Sequence, residues 1–154
     1  MIAVLRCASG KIHGSVEIHP INGPVADSQG VQFTVNIEGL SPGLHGFHIH
    51  KSGNDLTGPS TLCDHYNPKG GQHSHLNDPA GHYGDLGNLY FSKDKVCHQI
   101  IISTLLTPEE ILGRSMVVHE DPDDLGLGNY KDSKTTGHSG KRILWGVIGR
   151  NEPC

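Results

Sequence analysis

From Val31 to Glu38 the chain reads Val-Gln-Phe-Thr-Val-Asn-Ile-Glu, with apolar and polar residues alternating at every position. A period of two marks a strand with one face buried and the other in water. Shorter segments of the same character lie at Ile2–Arg6, Gly14–His19, Gly46–His50, Asn88–Phe91, Val96–Ser103, Ser115–His119 and Arg142–Ile148. Gly, Pro, Asn or Asp punctuates most of the gaps. Helical periodicity is almost absent, so eight short strands predict an all-β fold, an antiparallel sandwich or barrel. The one helical signal is Thr107-Pro108-Glu109-Glu110, an N-cap followed by Pro at the first helical position and a capping-box Glu. It predicts a turn or two of helix inside a connection.

Two segments resist strand assignment, residues 51–87 and residues 120–141. Loops this long within one compact domain are usually functional. The first contains four His and four Asp, so metal binding would account for its order. Neither repeat nor linker is visible, and 154 residues make a single domain spanning 1–154.

Composition narrows the chemistry. The formal net charge is -4 and no Lys/Arg run occurs, which leaves no footprint for nucleic acid or an anionic membrane. No apolar run approaches a membrane span. Met1–Arg6 lacks a charged region leading into a long apolar stretch, so a cytoplasmic location is expected. The four Cys (Cys7, Cys63, Cys97, Cys154) are far apart, which fits neither a zinc finger nor a dense disulfide scaffold.

Twelve His are the unusual feature, and their placement decides the reading. His48 and His50 lie two apart on one strand, so both imidazoles face the same side while Phe47 and Ile49 face the other. Such a pair is half of a copper or zinc site. The long loop adds His65, His73, His75, His82 and Asp85, the donor types of a closed tetrahedral zinc site. His119 ends the apolar run Met116-Val117-Val118. His45 points away from His48 and His50 by strand parity and reads as a hydrogen-bonded structural residue. His13, His19, His98 and His138 belong to no cluster and read as surface residues.

Five segments carry a family resemblance. They are Gly43-Leu-His-Gly-Phe-His-Ile-His50, His65-Tyr-Asn-Pro68, His82-Tyr-Gly-Asp-Leu-Gly-Asn88, Val118-His-Glu-Asp-Pro-Asp-Asp-Leu-Gly126, and Gly140-Lys-Arg142 with Gly146-Val-Ile-Gly149. In this order the chain resembles the copper/zinc superoxide dismutase family from its first strand to about Gly149. The resemblance implies an eight-stranded antiparallel Greek-key barrel, sandwich-like, with two long functional loops. It implies an oxidoreductase that turns superoxide into dioxygen and hydrogen peroxide at a copper–zinc site.

By that resemblance His48, His50, His65 and His119 hold copper, while His65, His73, His82 and Asp85 hold zinc. His65 bridges the two metals and carries a catalytic proton. Asp123 accepts hydrogen bonds from one His on each metal, and Asp124 structures its loop. His75 falls out of register as a bystander. Arg142 docks superoxide, and Lys131 and Lys134 help guide it. A homodimer and a copper chaperone are the partners the family implies. The alternative is a non-catalytic copper/zinc-binding or copper-chaperone-like domain, but all four copper-ligand positions are filled and the chain leaves no room for an N-terminal CxxC domain.

Two departures stand out. The positions of the family's disulfide are Pro59 and Trp145 here, so that bond is not expected. Cys63 could instead reach another thiol such as Cys154. Ser52 replaces an aromatic residue at the family's subunit contact, which should weaken the dimer.

Overall fold

A computed structural model describes residues 1–22 and 29–153. Among them are eight strands: β1 (Ile2–Arg6), β2 (Ile12–Asn22), β3 (Gln29–Glu38), β4 (Gly43–His50), β5 (Asp85–Phe91), β6 (Val96–Ser103), β7 (Ser115–His119) and β8 (Arg142–Gly149). All pair antiparallel in the order β5-β4-β7-β8-β1-β2-β3-β6. Sequence neighbours β3 and β4 lie far apart in that order, as do β6 and β7, so two connections cross the barrel in Greek-key fashion.

Strand parity builds the interior as the alternation predicts. Val31, Phe33, Val35 and Ile37 of β3 are buried, together with Phe47 and Ile49 of β4, Leu89 and Phe91 of β5, and Met116 and Val118 of β7. Burying each such large side chain stabilises the fold by about 1.5–3 kcal/mol. The helix α1 (Pro108–Ile111) carries the expected capping box between Thr107 and Glu110 and sends Ile111 into the core. A second short helix, α2 (Ser133–Thr136), lies in the later loop.

The two end strands, β5 and β6, complete a nearly closed barrel without a regular ladder between them. Gln99 accepts from the Tyr90 N–H at 3.2 Å and donates to the Asn88 carbonyl at 3.1 Å. Beside the end of β6, Asn77 donates to the Ile102 carbonyl at 3.0 Å and accepts from the Thr104 N–H at 2.8 Å. Side-chain amides thus satisfy backbone groups that a missing strand would have paired.

Several strands run longer than the pattern indicated. β4 starts at Gly43 and β5 at Asp85. The pattern places these starts at Gly46 and Asn88, yet Leu44 opposes Tyr90 and His48 opposes Asp85 across an irregular ladder. The long connections are therefore residues 51–84 and 120–141.

Candidate metal centre

β4 is the floor of the site. Its core-facing residues are Phe47 and Ile49, which leaves His48 and His50 on the opposite face, buried beneath the loops. β7 lies beside β4 and ends at His119; β8 lies beside β7, where Arg142 pairs with His119. The first long loop returns over β4. Its Tyr66 N–H donates to the Ile49 carbonyl at 2.8 Å, and His65 bridges to His50. Asp85 then opens β5 directly opposite His48.

These elements gather two buried donor clusters. Nitrogens of His48, His50, His65 and His119 lie within 4.8 Å of one another, as do donor atoms of His48, His65, His73 and Asp85. His82 flanks the second cluster, its Nδ1 3.3 Å from Asp85 Oδ1. His65 Nδ1 and His73 Nδ1 face the same oxygen at 2.8 and 2.9 Å. For metal–donor bonds of about 2.0–2.1 Å, the donors of a tetrahedral site stand roughly 3.3 Å apart, so this spacing suits a zinc ion.

The outer partners fix which nitrogen of each ring is free. Asp123 accepts from His48 Nε2 at 2.8 Å and from His73 Nε2 at 2.7 Å. His50 Nδ1 donates to the Cys63 carbonyl at 2.8 Å and His119 Nδ1 to the Gly140 carbonyl at 3.2 Å. Carboxylates and carbonyls only accept, so the remaining nitrogens of His48, His50 and His119 carry lone pairs. The free Nε2 atoms of His50 and His119 stand 3.4 Å apart.

Among the described residues, four buried ring nitrogens have no hydrogen-bond partner: His48 Nδ1, His65 Nε2, His73 Nδ1 and His82 Nδ1. An orphaned buried polar atom costs about 1–3 kcal/mol, and four in one place indicate ligands of metal ions. Imidazole suits copper and zinc, and a carboxylate beside three imidazoles suits zinc. The residues fit both metals, and copper and zinc are the cofactors.

Electrostatics divide the site. Burial holds His48 and His50 well below the ordinary imidazole value. It pushes His119 down to about 3 and keeps His65 lowered despite Asp85. Burial pushes His73 in the same direction, but Asp123 and Asp85 outweigh it and raise the ring to about 9. Burial would raise Asp85, yet the imidazoles of His65, His73 and His82 gathered around its Oδ1 hold it far below the usual carboxylate range.

Arg142 is partly buried, and its Nη1 donates to the Pro59 carbonyl at 2.7 Å. Lys131 and Lys134 expose their side chains on the second loop, and the Lys134 carbonyl accepts from the His73 N–H at 2.9 Å. Asp124 accepts from the Gly126 N–H and the Ser133 hydroxyl, the loop-structuring part expected of it. His45 is buried with Nδ1 2.9 Å from the His119 carbonyl, and His75 is exposed outside both clusters. His138 lies on the surface, its ring stacked 3.6 Å from Tyr130. Cys63 is free and exposed; Cys154, its suggested partner, lies outside the described residues.

Some participants carry no chemical signature in the sequence. The carbonyls of Pro59, Cys63 and Gly140 belong to the main chain. Asn88 clasps Asp123 by donating to its carbonyl at 2.9 Å and accepting from its N–H at 2.7 Å. Gly137 leaves space that a Cβ would take, since such an atom would meet Asp123 Oδ1 at 2.1 Å.

Two comparisons extend this geometry. The family description "Copper/zinc superoxide dismutase" matches residues 12–148. The crystal structure of the clock protein EA4 superposes with a TM-score of 0.85 at 35% identity, covering 96% of this chain and 92% of that one.

Proposed function

The chain belongs to the copper/zinc superoxide dismutase family, and from that premise we propose a division of labour among its residues. The reaction is disproportionation, 2 O2•− + 2 H+ → O2 + H2O2. The observation that carries the reading is the position of His65, a buried ring in both donor clusters whose Nδ1 lies 2.8 Å from Asp85 while its Nε2 has no hydrogen-bond partner among the described residues.

His48, His50, His65 and His119 hold copper in this reading, and His65, His73, His82 and Asp85 hold zinc. Copper supplies one-electron redox chemistry, while zinc, with no redox chemistry of its own, supplies a fixed charge. His65 offers Nε2 toward His48, His50 and His119 and Nδ1 toward Asp85, so Nε2 is the atom at which it can hold and release a proton. Asp123 fixes the tautomers of His48 and His73 together and thereby couples the two halves. Arg142 presents the planar guanidinium that docks an oxyanion. Lys131 and Lys134 add positive potential that draws superoxide in, the kind of steering for which superoxide dismutase is a general example.

A cytosolic setting is supported by three unpaired thiols, Cys7, Cys63 and Cys97, among the described residues. Loading by a copper chaperone accords with copper ligands buried under a loop. A dimer of weak affinity is supported by Ser52, a small polar residue where the family's subunits meet through an aromatic one.

The test is superoxide consumption by the metal-loaded protein and its Arg142 variants. Arg142→Glu should lower the rate far more than Arg142→Lys, because Lys keeps the charge and loses only the fork. The wild-type rate should also fall as salt rises, since exposed charges are screened beyond about 8–10 Å. An unchanged rate in Arg142→Glu would remove the docking role.

A further inference from the structure

The turn over the copper half of the site holds an unfavourable conformation. It runs as a 3-10 helix from Pro59 to Leu62, with Gly58 at φ 91° before it and Cys63 at φ 64°, ψ -160° after it. That last region is essentially reserved for glycine. A residue with a Cβ there costs roughly 1–3 kcal/mol and stays only where its surroundings over-determine it. Cys63 therefore needs something strong on either side.

The turn delivers two main-chain acceptors to the site. The Pro59 carbonyl takes Arg142 Nη1 at 2.7 Å, and the Cys63 carbonyl takes His50 Nδ1 at 2.8 Å. One fixes the guanidinium, the other the ring plane of a copper-side imidazole. A small rotation of the turn would move both.

Among the described residues no covalent bond secures the turn, because the Cys63 thiol pairs with none of them. An apolar cluster takes its place. Leu62 and Val117 are fully buried and Trp145 is 7% exposed, and the three form a hydrophobic cluster separate from the main core. Val117 and Trp145 oppose one another across β7 and β8. Both lie outside the main core, and Leu62 packs with them. The Leu62 carbonyl also accepts from the Ser52 N–H at 3.0 Å. Leu62 immediately precedes the strained residue, so its seat against Trp145 governs where the Cys63 carbonyl points.

We infer that Leu62, Val117 and Trp145 form an apolar clamp that positions Arg142 and His50 through the carbonyls of Pro59 and Cys63, with Trp145 as a positioning residue. The kinetic consequence rests on the docking role proposed for Arg142. Burial of a large ring here performs the anchoring that a covalent tie would otherwise perform.

A double-mutant cycle in the metal-loaded enzyme tests it. Trp145→Ala should lower the rate at low superoxide by about 10- to 100-fold, the range expected when a reacting group is misplaced by about 1 Å. Copper and zinc contents should stay unchanged, and Trp145→Phe should recover most of the loss. In an Arg142→Ala background, Trp145→Ala should cost clearly less than it does alone, keeping only the share that acts through His50. An independent readout is the NMR spectrum of the Arg142 guanidinium in the reduced enzyme. Its separate Nη signals, held apart by the bond to Pro59, should merge in Trp145→Ala.

Full multiplication of the two losses, or unchanged Arg142 signals, would overturn the clamp. If Arg142→Ala itself leaves the rate intact, the docking role fails while the Nη signals still decide the clamp. Should Trp145→Ala not fold, Leu62→Val removes one methylene from the other side and carries the same cycle and the same signals.

Discussion

The two halves of the metal centre use the same imidazole and hold it by different means. On the zinc side the rings meet carboxylates: His65, His73 and His82 converge on Asp85, and His73 also meets Asp123. On the copper side His50 and His119 donate to main-chain carbonyls. Burial lowers His48, His50, His65 and His119, and only at His73, with a carboxylate on each nitrogen, does pairing outweigh it. Paired with carboxylates, His73 rises to about 9; buried beside a carbonyl, His119 falls to about 3. One half is thus an anionic cage suited to a permanent cation. The other keeps bare lone pairs beside a guanidinium, where an anion can approach. His48 belongs to both, with Nε2 on Asp123 and its lone pair among the copper-side rings.

If the halves are separable in this way, His119→Ala should have the largest effect, a fall of activity to background while zinc content stays at the wild-type level. Metal analysis alongside a superoxide assay checks it, and loss of zinc in this variant would show the halves fused. Asp85→Ala should strike the other half. Removing one partner from a buried charged network should lower the stability of the metal-free protein by about 3 kcal/mol, measured by urea unfolding. A comparable loss in His119→Ala would erase the distinction.

A subtler effect is the pH dependence of the metal-free protein, to which the halves contribute limbs of opposite sign. His73 is raised, so its contribution is complete below the ordinary value of 6.5 and is lost as pH rises to about 9. His48, His50 and His119 are lowered, so they cost nothing above 6.5 and destabilise increasingly below it, His119 down to about 3. The melting temperature should peak near pH 6.5. The acid limb should be the steeper, because several rings resist protonation there and one ring governs the alkaline side. His119→Ala should soften the acid limb, and Asp123→Asn the alkaline one. A melting curve flat from pH 5 to 9 would contradict both assignments.

The smallest expected effect is none at all. A thiol reductant should leave the melting temperature and activity of the metal-loaded protein where they were, because Pro59 and Trp145 occupy the family's disulfide positions. A clear drop would point to a bond made by Cys63.

Much of this was legible in the sequence because strand parity is a local property. The alternation from Val31 to Glu38 gave the buried face of β3, and the same rule put His48 and His50 on one side with Phe47 and Ile49 in the core. The motif around His65, His82 and Asp85 named most of the zinc-side donors. Strand ends were less legible. Gly87 stands at φ 80° inside β5, and a glycine in that conformation reads as a loop until His48 and Asp85 are seen to pair. The copper-side acceptors could not be read at all, since a carbonyl has no residue-specific signature and its direction is set by tertiary contacts. Trp145 stood out only as the replacement for a cysteine. Its neighbours Leu62 and Val117 are remote in sequence, and only folding unites them.

The seam between β5 and β6 concerns the protein's age rather than its reaction. Asn77 serves as both donor and acceptor at the end of β6, a role that requires an amide. Slow hydrolysis of that amide would leave a carboxylate, still able to accept from Thr104 but turning negative charge on the Ile102 carbonyl it once satisfied. The end of β6 would then lie open, with Ile100 and Ile102 already exposed along its outer face. An uncovered strand edge beside apolar side chains is a template for pairing with another chain. Stored protein should therefore accumulate soluble oligomers in step with deamidation at Asn77, and Asn77→Asp should form them from the start. Fresh and aged samples compared by peptide mass and size-exclusion chromatography would show whether one amide sets the shelf life of the barrel.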